Sequence, residues 1–370
     1  MARLLIITLS ACALSTTRAL SGARTVMSTF DGQSYATTVT DGSDASSPPL
    51  VLLPPVGVGI DRVFYRRFQE ALPGIATHAP DLLGTGTAFP KPRRFYGPEV
   101  WARQVDAYVR EQVGGPCVLV VQGGLLPCAL EMWRLGGKET IAGLSLLSPP
   151  PLKFVCGDAD VPYSSARFER SWPIDAASGA VAYAPPGPPV RRASRKIQRL
   201  AWAASASPVG NAFFRRLRGK KGERIREFTA KNLFADAEKV DDEWVAQCFD
   251  SARDARGRFA TLSYLCGTIP AGGSWRDDRG ALLDTLAVPT QIVRGNFTGA
   301  FDPLERTRAA LSRLPFPADS FVVPDARACL PYEQPEKTAA CLRHFLDSYA
   351  PASDGAAPDG VALVPAPEPS

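Results

Sequence analysis

Short apolar runs constrain the fold of this chain more than any other feature of its sequence. The clearest are residues 49–55 (PLVLLPP), 117–122 (CVLVVQ), 141–147 (IAGLSLL) and 288–295 (VPTQIVRG). Runs of this length with few polar residues are typical of strands buried on both faces of a parallel sheet. Segments with apolar residues three to four positions apart lie between them and predict helices. The pattern predicts an α/β fold with a doubly wound, mostly parallel sheet.

The alternation of strands and helices is interrupted in the middle of the chain. Residues 152–280 are rich in Arg and Ala, show helical periodicity and lack clear strand patterns. We interpret this stretch as a helical, basic cap inserted between two parts of one core, residues 25–151 and 281–349. Residues 350–370 are rich in Pro, Ala, Gly and Asp, and this composition predicts a disordered tail.

The N-terminus has the features of a targeting segment, which we place at residues 1–24. Arg3 precedes an apolar run at residues 4–14, which is too short to span a bilayer and matches the core of a signal peptide. No acidic side chain follows until Asp31, as in organelle transit extensions. The sequence therefore predicts entry into the secretory pathway, ending either in secretion or, through a two-part signal, in a plastid.

Charge and cysteine usage argue against several classes of function. The formal net charge is only +5, and no groove-entry or base-stacking motif accompanies the basic residues, so we expect no nucleic-acid partner. The chain has eight Cys without a C-x-x-C pair and only two His, which argues against a zinc site and a disulfide framework. We expect neither a metal nor a cofactor.

Five segments occur in a recognisable order along the chain. They are residues 53–57 (LPPVG), 79–86 (APDLLGTG), 118–130 (VLVVQGGLLPCAL), 288–295 (VPTQIVRG) and 329–336 (CLPYEQPE). Together they resemble the α/β-hydrolase superfamily, in its lipase, esterase and haloalkane-dehalogenase-like branch and in an uncharacterised group from plants, algae and cyanobacteria. The resemblance covers about residues 48–150 and 282–346. It implies an oxyanion-hole amide in the first segment, the nucleophile in the third and the catalytic histidine in the last.

The resemblance places Gly123 where the family has its nucleophile. In G-x-S-x-G the serine lies on a tight turn between a strand and a helix, whereas this chain reads VQGGLL from Val121 to Leu126. A shift of one residue would place Gln122 or Gly124 there, and neither side chain is a nucleophile. Glycine tolerates the backbone conformation of such a turn, so we expect the turn without its catalytic side chain.

The histidine position of the family falls on Cys329. The base must accept a proton near neutral pH, as an imidazole does, and a thiol without a histidine partner is not activated. We interpret Cys329 as a buried, inert thiol. His78 and His344 are the chain's two histidines. We interpret His78 as structural rather than as a displaced base, and expect His344 to face solvent or to cap the last helix.

Asp302 is the one candidate for the catalytic acid. It follows the strand at residues 288–295 after a longer loop than the family usually has. It is either the acid in that lengthened loop or the N-cap of a helix that begins at Pro303, since Asp-Pro at a helix start is typical of a cap.

The sequence therefore favours a protein that has lost Ser-His-Asp hydrolysis and binds a small hydrophobic or acyl ligand, or a partner, in the former active-site cleft. The cleft residues that we expect to contact the ligand are Val56, Gly57, Gln122, Gly124 and Leu125. The alternative is an active hydrolase or lyase acting on ester or acyl substrates with a displaced apparatus that uses Cys329, Asp302 or His78.

The cap also carries a basic stretch in which 13 Lys and Arg against two Glu occur between residues 191 and 231. One interpretation is contact with an anionic membrane, with Trp202, Phe213 and Phe214 as apolar anchors. The other is a solvated cap face. The basic residues that would form the lipid or anion surface are Arg191, Arg192, Arg195, Lys196, Arg215, Arg216, Lys220 and Lys221.

Overall fold

A computed structural model describes residues 22–44, 46–86, 91–149, 195–268, 282, 285–296, 318–347 and 362–363. Its centre is a nine-stranded sheet with the order β1-β2-β4-β3-β5-β6-β7-β8-β9. The strands are β1 (Ala23–Phe30), β2 (Gln33–Thr40), β3 (Leu50–Leu53), β4 (Thr77–Pro80), β5 (Cys117–Gln122), β6 (Ile141–Leu147), β7 (Thr290–Gly295), β8 (Ala318–Val323) and β9 (Ala362–Leu363). Strands β3 to β8 pair in parallel, while β1, β2 and β9 pair antiparallel with their neighbours.

Helices cover both faces of the sheet. Those of the core are α1 (Arg66–Glu70), α2 (Pro98–Tyr108), α3 (Leu126–Gly136), α9 (Leu330–Glu333) and α10 (Pro335–Asp347). Alternate residues of β5 enter different apolar clusters, because successive side chains of a strand point to opposite faces. Leu119 packs in the cluster that holds α2 and α3, and Val120 packs in the cluster that holds α1 and α10. The predicted doubly wound, mostly parallel sheet is therefore confirmed.

The described part of the predicted cap, residues 195–268, contains helices and no strand. These are α4 (Arg195–Ala206), α5 (Pro208–Arg218), α6 (Glu223–Asn232), α7 (Asp242–Ser251) and α8 (Arg258–Thr268). Trp244 of α7 packs with its ring centroid 4.8 Å from that of Tyr332 in α9. Tyr264 of α8 lies 5.6 Å from Trp101 of α2, measured in the same way. Helices α7 and α8 thus contact the core on either face of the sheet. No described helix has the length and apolar character needed to cross a bilayer.

The antiparallel hairpin of β1 and β2 is absent from the sequence-based prediction, although Asp31-Gly32 is a signal for it. The two residues have φ of 49° and 70°, and the register pairs Phe30 with Gln33 across the turn. Two consecutive positive φ values define the turn that best fits a two-residue hairpin, and Asp-Gly favours it. The boundary placed after residue 24 falls two residues inside β1.

The prediction of a disordered tail after residue 350 is wrong at two positions. Ala362 and Leu363 pair antiparallel with Val322 and Phe321 of β8. Pairing satisfies main-chain groups of a strand that would otherwise form the open edge of the sheet. A composition-based prediction does not detect such a short edge strand. The helix predicted from residue 303 to 314 lies outside the described residues.

Candidate active-site cleft

The turn after β5, which the resemblance assigns as the nucleophile elbow, presents glycine at a positive φ. β5 ends at Gln122, residues Gly123–Leu125 form one turn of 3-10 helix, and α3 begins at Leu126. Gly123 has φ of +61°, a region that L-residues seldom adopt. Among the described residues, a Cβ atom built on Gly123 would have one neighbour within 4 Å, the Cβ of Pro55 at 3.9 Å. No described side chain therefore occupies the position that a side chain at this turn would take.

The loop before Cys329 lies against the ends of two central strands. The side-chain amide of Gln122, the last residue of β5, donates a hydrogen bond to the main-chain carbonyl of Ala328. The hydroxyl of Ser148, directly after β6, donates to the carbonyl of Arg327 at 3.1 Å. Because Ala328 directly precedes Cys329, the elbow and the position assigned to the family histidine lie on neighbouring loops at the ends of the central strands.

The third position assigned from the sequence, Asp302, lies outside the described residues. The strand that precedes it, β7, is described and ends beside the loop before Cys329. A Cβ atom on Gly295, the last residue of β7, would overlap the carbonyl oxygen of Ala326, so this strand end lies directly on the same loop. The amide of Asn296 donates to the carbonyl of Val323 at 3.1 Å. The chain therefore leaves β7 beside the cleft.

Cys329 is a buried thiol with 3% of its surface exposed. Burial, with smaller effects of nearby Glu333 and Cys248, raises the pKa of Cys329 well above its ordinary value. The thiol therefore stays protonated at neutral pH and cannot take a proton from a nucleophile. The carboxylate of Glu333 accepts hydrogen bonds from the amides of Arg327 at 3.0 Å and Ala235 at 2.5 Å. Glu333 thereby links the loop before Cys329 to Ala235 of the cap.

Both histidines of the chain lie among the described residues, away from the Gly123 turn. His78 is in β4, where its Nδ1 lies 2.9 Å from the hydroxyl of Tyr108, and burial lowers the pKa of His78 to about 4. The register pairs His78 with Val51 and Val51 with Leu119, four residues before Gly123. The ring of His344 packs in α10, 5.4 Å from that of Phe321 in β8 (between centroids).

Helix α8 of the cap bonds to both loops at which the sequence predicts ligand contacts. The hydroxyl of Thr261 donates to the carbonyl of Gly57 at 3.2 Å, and the hydroxyl of Tyr264 donates to the carbonyl of Gly124. A Cβ atom on Gly124 would overlap that Tyr264 hydroxyl. Of the other predicted contacts, Val56 packs half-buried against the core, whereas Leu125 is completely buried in it. The cap thus covers the elbow from the α8 side.

A pair of buried carboxylates, which the sequence analysis did not identify, lies beyond the Val56–Gly57 loop. Asp61 accepts a hydrogen bond from the amide of Val63 at 2.9 Å. Asp81 forms an ion pair of 2.9 Å with Arg62. Burial and the charge of Asp81 raise the pKa of Asp61 to about 6, although Arg62 opposes the shift. The motif at residues 79–86 contains Asp81, but no local pattern indicates that Asp61 lies beside it.

The basic residues proposed for a lipid or anion surface are described only in part. Arg191 and Arg192 lie outside the described residues, as do the side chains of Arg195 and Lys196. Four are exposed on or after α5, namely Arg215, Arg216, Lys220 and Lys221.

Only one of the three predicted anchors is exposed. Phe213 has half of its surface exposed. Phe214 is buried, so its prediction as an anchor is wrong, because it lies on the inner face of α5. Trp202 is half-buried and packs against Phe95, with 6.0 Å between their ring centroids.

Comparison with known proteins gives structural likeness without sequence likeness. No protein-family model matches the chain, and no curated protein sequence does. An esterase from Thermogutta terrifontis is 18% identical, with a TM-score of 0.58, over 88% of this chain and 99% of its own. The haloalkane dehalogenase DatA from Agrobacterium tumefaciens is 16% identical, with a TM-score of 0.64, over 89% and 98% of the two chains. The epoxide hydrolase CorEH is 16% identical, with a TM-score of 0.61, over 88% and 99%. The fold implied by the five sequence segments is thereby confirmed.

Proposed function

We propose that this chain, which has the α/β-hydrolase fold, has lost Ser-His-Asp hydrolysis and binds a small hydrophobic or acyl ligand in the cleft. We define the cleft by the Gly123 turn, the Val56–Gly57 loop and helix α8. The observation that carries the proposal is the turn itself: Gly123 has a positive φ, as the nucleophile of such a turn does, but it has no side chain, and no described residue lies closer than 3.9 Å to where its Cβ would be.

The missing base supports the same conclusion. A serine nucleophile needs an imidazole within hydrogen-bond reach to remove its proton. Cys329 is a buried thiol with a raised pKa, and both histidines make contacts elsewhere in the fold. Loss of nucleophile and base together removes the covalent route, whereas loss of one partner alone leaves weak residual catalysis.

Binding of an apolar ligand is supported by what borders the cleft. Val56 is partly buried and supplies aliphatic surface beside the apolar cluster that contains Leu125 and Tyr264. Sites for small ligands are mostly apolar with a few fixed polar groups. The main-chain amides of the Val56–Gly57 loop and of Gly124 are the groups that would orient a carbonyl or carboxylate.

The alternative of a displaced catalytic apparatus gains no support from the described residues. It would bring Cys329, Asp302 or His78 to the Gly123 turn. His78 lies at the level of Leu119 in β5, and Cys329 has no imidazole among its described contacts to lower its pKa.

The proposal is tested by titrating the purified chain with a fluorescent acyl probe such as cis-parinaric acid and by assaying p-nitrophenyl ester hydrolysis. Val56→Asp places a charge on the cleft side and should weaken probe binding about ten-fold or more. Val58→Asp is the matched control, since Val58 is in the same loop but packs against the opposite apolar cluster. Ester turnover that Val56→Asp abolishes would contradict the proposal, as would probe binding that neither variant changes.

A further inference from the structure

Large apolar side chains are exposed on three consecutive helices of the cap. Among the described residues six large apolar side chains are exposed, and four of them lie between residues 200 and 228. They are Leu200 (71% exposed) in α4, Val209 (74%) and Phe213 (52%) in α5, and Phe228 (52%) in α6. Single exposed apolar residues are normal, whereas a group rimmed by charge marks an interaction site.

Helix α5 has separate inner and outer apolar faces. Gly210 and Phe214 are buried against the protein, and Val209 and Phe213, four residues apart, share the outer face. Because the inner face already fills the contact with the rest of the cap, the outer phenylalanine is not needed for folding of the helix. It is available to a partner.

Helix α6 repeats this arrangement. Ile225 and Thr229 are buried, and Phe228 points outward with Arg224 and Lys231 on the same exposed face. Helix α5 contacts both α4 and α6. The exposed apolar side chains therefore belong to adjoining helices.

Positive charge is concentrated on the same helices and on the loop between α5 and α6. Between residues 195 and 231 the chain has eleven Lys and Arg and two Glu. Several of these cations are exposed and pair with no described carboxylate, namely Arg215, Arg216, Lys220, Lys221 and Lys231. The exposed apolar residues and these five cations together are called the cap surface below.

We propose that the cap surface docks on an anionic lipid bilayer. Phe213 and Phe228 would enter the boundary between headgroups and acyl chains, with Leu200 and Val209 beside them, while the cations contact lipid phosphates and carboxylates. Interfacial binding combines buried apolar area with attraction to anionic lipid, and each Lys or Arg near the surface strengthens it. The inference does not depend on whether the cleft catalyses a reaction.

Charge and chemistry favour a bilayer over other partners. In a symmetric contact with a second copy, the same cations would face one another, which is unfavourable. A nucleic acid or an acidic protein segment would use the cations, but the aliphatic side chains of Leu200 and Val209 add nothing to phosphate recognition. A bilayer can bind both sets of residues, since its anionic headgroups contact the cations and its acyl chains contact the apolar side chains.

Docking through this surface would place the proposed ligand cleft close to the membrane. Helix α4, which carries Leu200, contacts α8, and α8 bonds to the loops at Gly57 and Gly124. An acyl ligand leaving a bilayer would therefore meet the cap before it met the core.

The test is co-sedimentation of the full chain with vesicles of phosphatidylcholine alone and with 30% phosphatidylglycerol, at low and high salt. Two cap variants are compared with two core variants that alter exposed apolar and exposed basic residues outside the cap. The cap variants are Phe213→Ser with Phe228→Ser, and Arg216→Ala with Lys220→Ala and Lys221→Ala. The core controls are Met27→Ser with Leu135→Ser, and Arg103→Ala with Lys138→Ala.

We expect salt-sensitive binding to the anionic vesicles only. Each removed cation should weaken it about five-fold, and the double phenylalanine variant should weaken it about ten-fold or more, while the core controls bind as the unaltered chain does. Circular dichroism and thermal melting of every variant check that the fold is kept.

Four outcomes would overturn the proposal. In the first, the chain does not bind anionic vesicles. In the second, it binds them equally well after the cap substitutions, which is the result expected if the chain attaches through the apolar run at residues 4–14. Removal of the cations weakens binding while removal of the phenylalanines does not, which indicates a soluble polyanion as the partner. Finally, the phenylalanine variant lowers the melting temperature, which indicates that another part of this chain covers the surface.

Discussion

The side-chain amide of Gln122 donates a hydrogen bond to the main-chain carbonyl of Ala328, and so joins the residue before the elbow glycine to the residue before Cys329. The two positions are 206 residues apart in sequence. This contact brings the two positions that the sequence assigned to nucleophile and base to neighbouring loops. It also fixes the end of β5 to the loop before Cys329.

Gln122→Met tests that anchor. The substitution keeps the volume of the side chain but leaves the partly buried carbonyl of Ala328 without this donor, so we expect a loss of about 1–2 kcal/mol in the free energy of unfolding. Gln334→Met is the control, because the Gln334 amide also donates to a carbonyl, that of Asp325 at 3.1 Å, but in an exposed position. Its effect should stay within about 0.5 kcal/mol. Equal effects of the two variants in urea unfolding would contradict the assignment.

The contact between cap and elbow predicts a coupled pair of substitutions. Gly124→Ala should cost about 1–3 kcal/mol because its Cβ overlaps the Tyr264 hydroxyl, and Tyr264→Phe should cost about 0.5–1.5 kcal/mol through loss of the hydrogen bond. After the hydroxyl is removed, the nearest ring atom lies 3.5 Å from that Cβ.

The double variant should therefore be more stable than the sum of the single effects predicts, by about 1 kcal/mol or more. Gly115→Ala is the control partner, since a Cβ there has no neighbour within 4 Å among the described residues, and its effect should add to that of Tyr264→Phe. Additive effects of Gly124→Ala and Tyr264→Phe would show that α8 does not contact the elbow in this way.

The raised pKa of Asp61 predicts that the free energy of unfolding increases as the pH falls from 7 toward 4. Its folded-state pKa of about 6 lies above the ordinary value of 3.8, so the folded protein binds this proton more tightly than the unfolded chain does. The destabilisation by the buried charge is therefore complete above pH 6 and is lost as the pH falls toward 4.

Asp61→Asn should raise the free energy of unfolding by roughly 1–3 kcal/mol at pH 7.5, with no difference from the unaltered chain near pH 4. The asparagine keeps an oxygen to accept from the Val63 amide. Asp347→Asn, at an exposed position, should have little effect at either pH. A variant that is less stable than the unaltered chain at both pH values would refute the raised pKa.

The core strands were predictable because they are buried on both faces. β5 and β6 match the predicted ranges, since every residue of β5 is buried and a continuous apolar run results. The hairpin of β1 and β2 was missed because no residue of β1 is fully buried, so β1 shows no clear apolar run and its pattern merges with the targeting segment. The Asp31-Gly32 turn was the available local signal.

The turn at Gly123 was predictable from the sequence because strand, turn and helix follow one another locally. The contacts that close the cleft, such as Tyr264 with Gly124 and Gln122 with Ala328, join distant segments and leave no local pattern. The prediction of Phe214 as an exposed anchor was wrong for the same reason. Periodicity alone does not decide which of two adjacent phenylalanines in α5 faces inward, because that depends on the position of the rest of the cap.

The most direct test of the central claim is the intact mass of the purified chain after incubation with an alkyl fluorophosphonate, which labels serines activated by a base. We expect an unchanged mass, because the turn after β5 carries Gly123 and both histidines make their contacts elsewhere in the fold. A single stoichiometric adduct on any serine of the folded chain, absent after thermal unfolding, would contradict it.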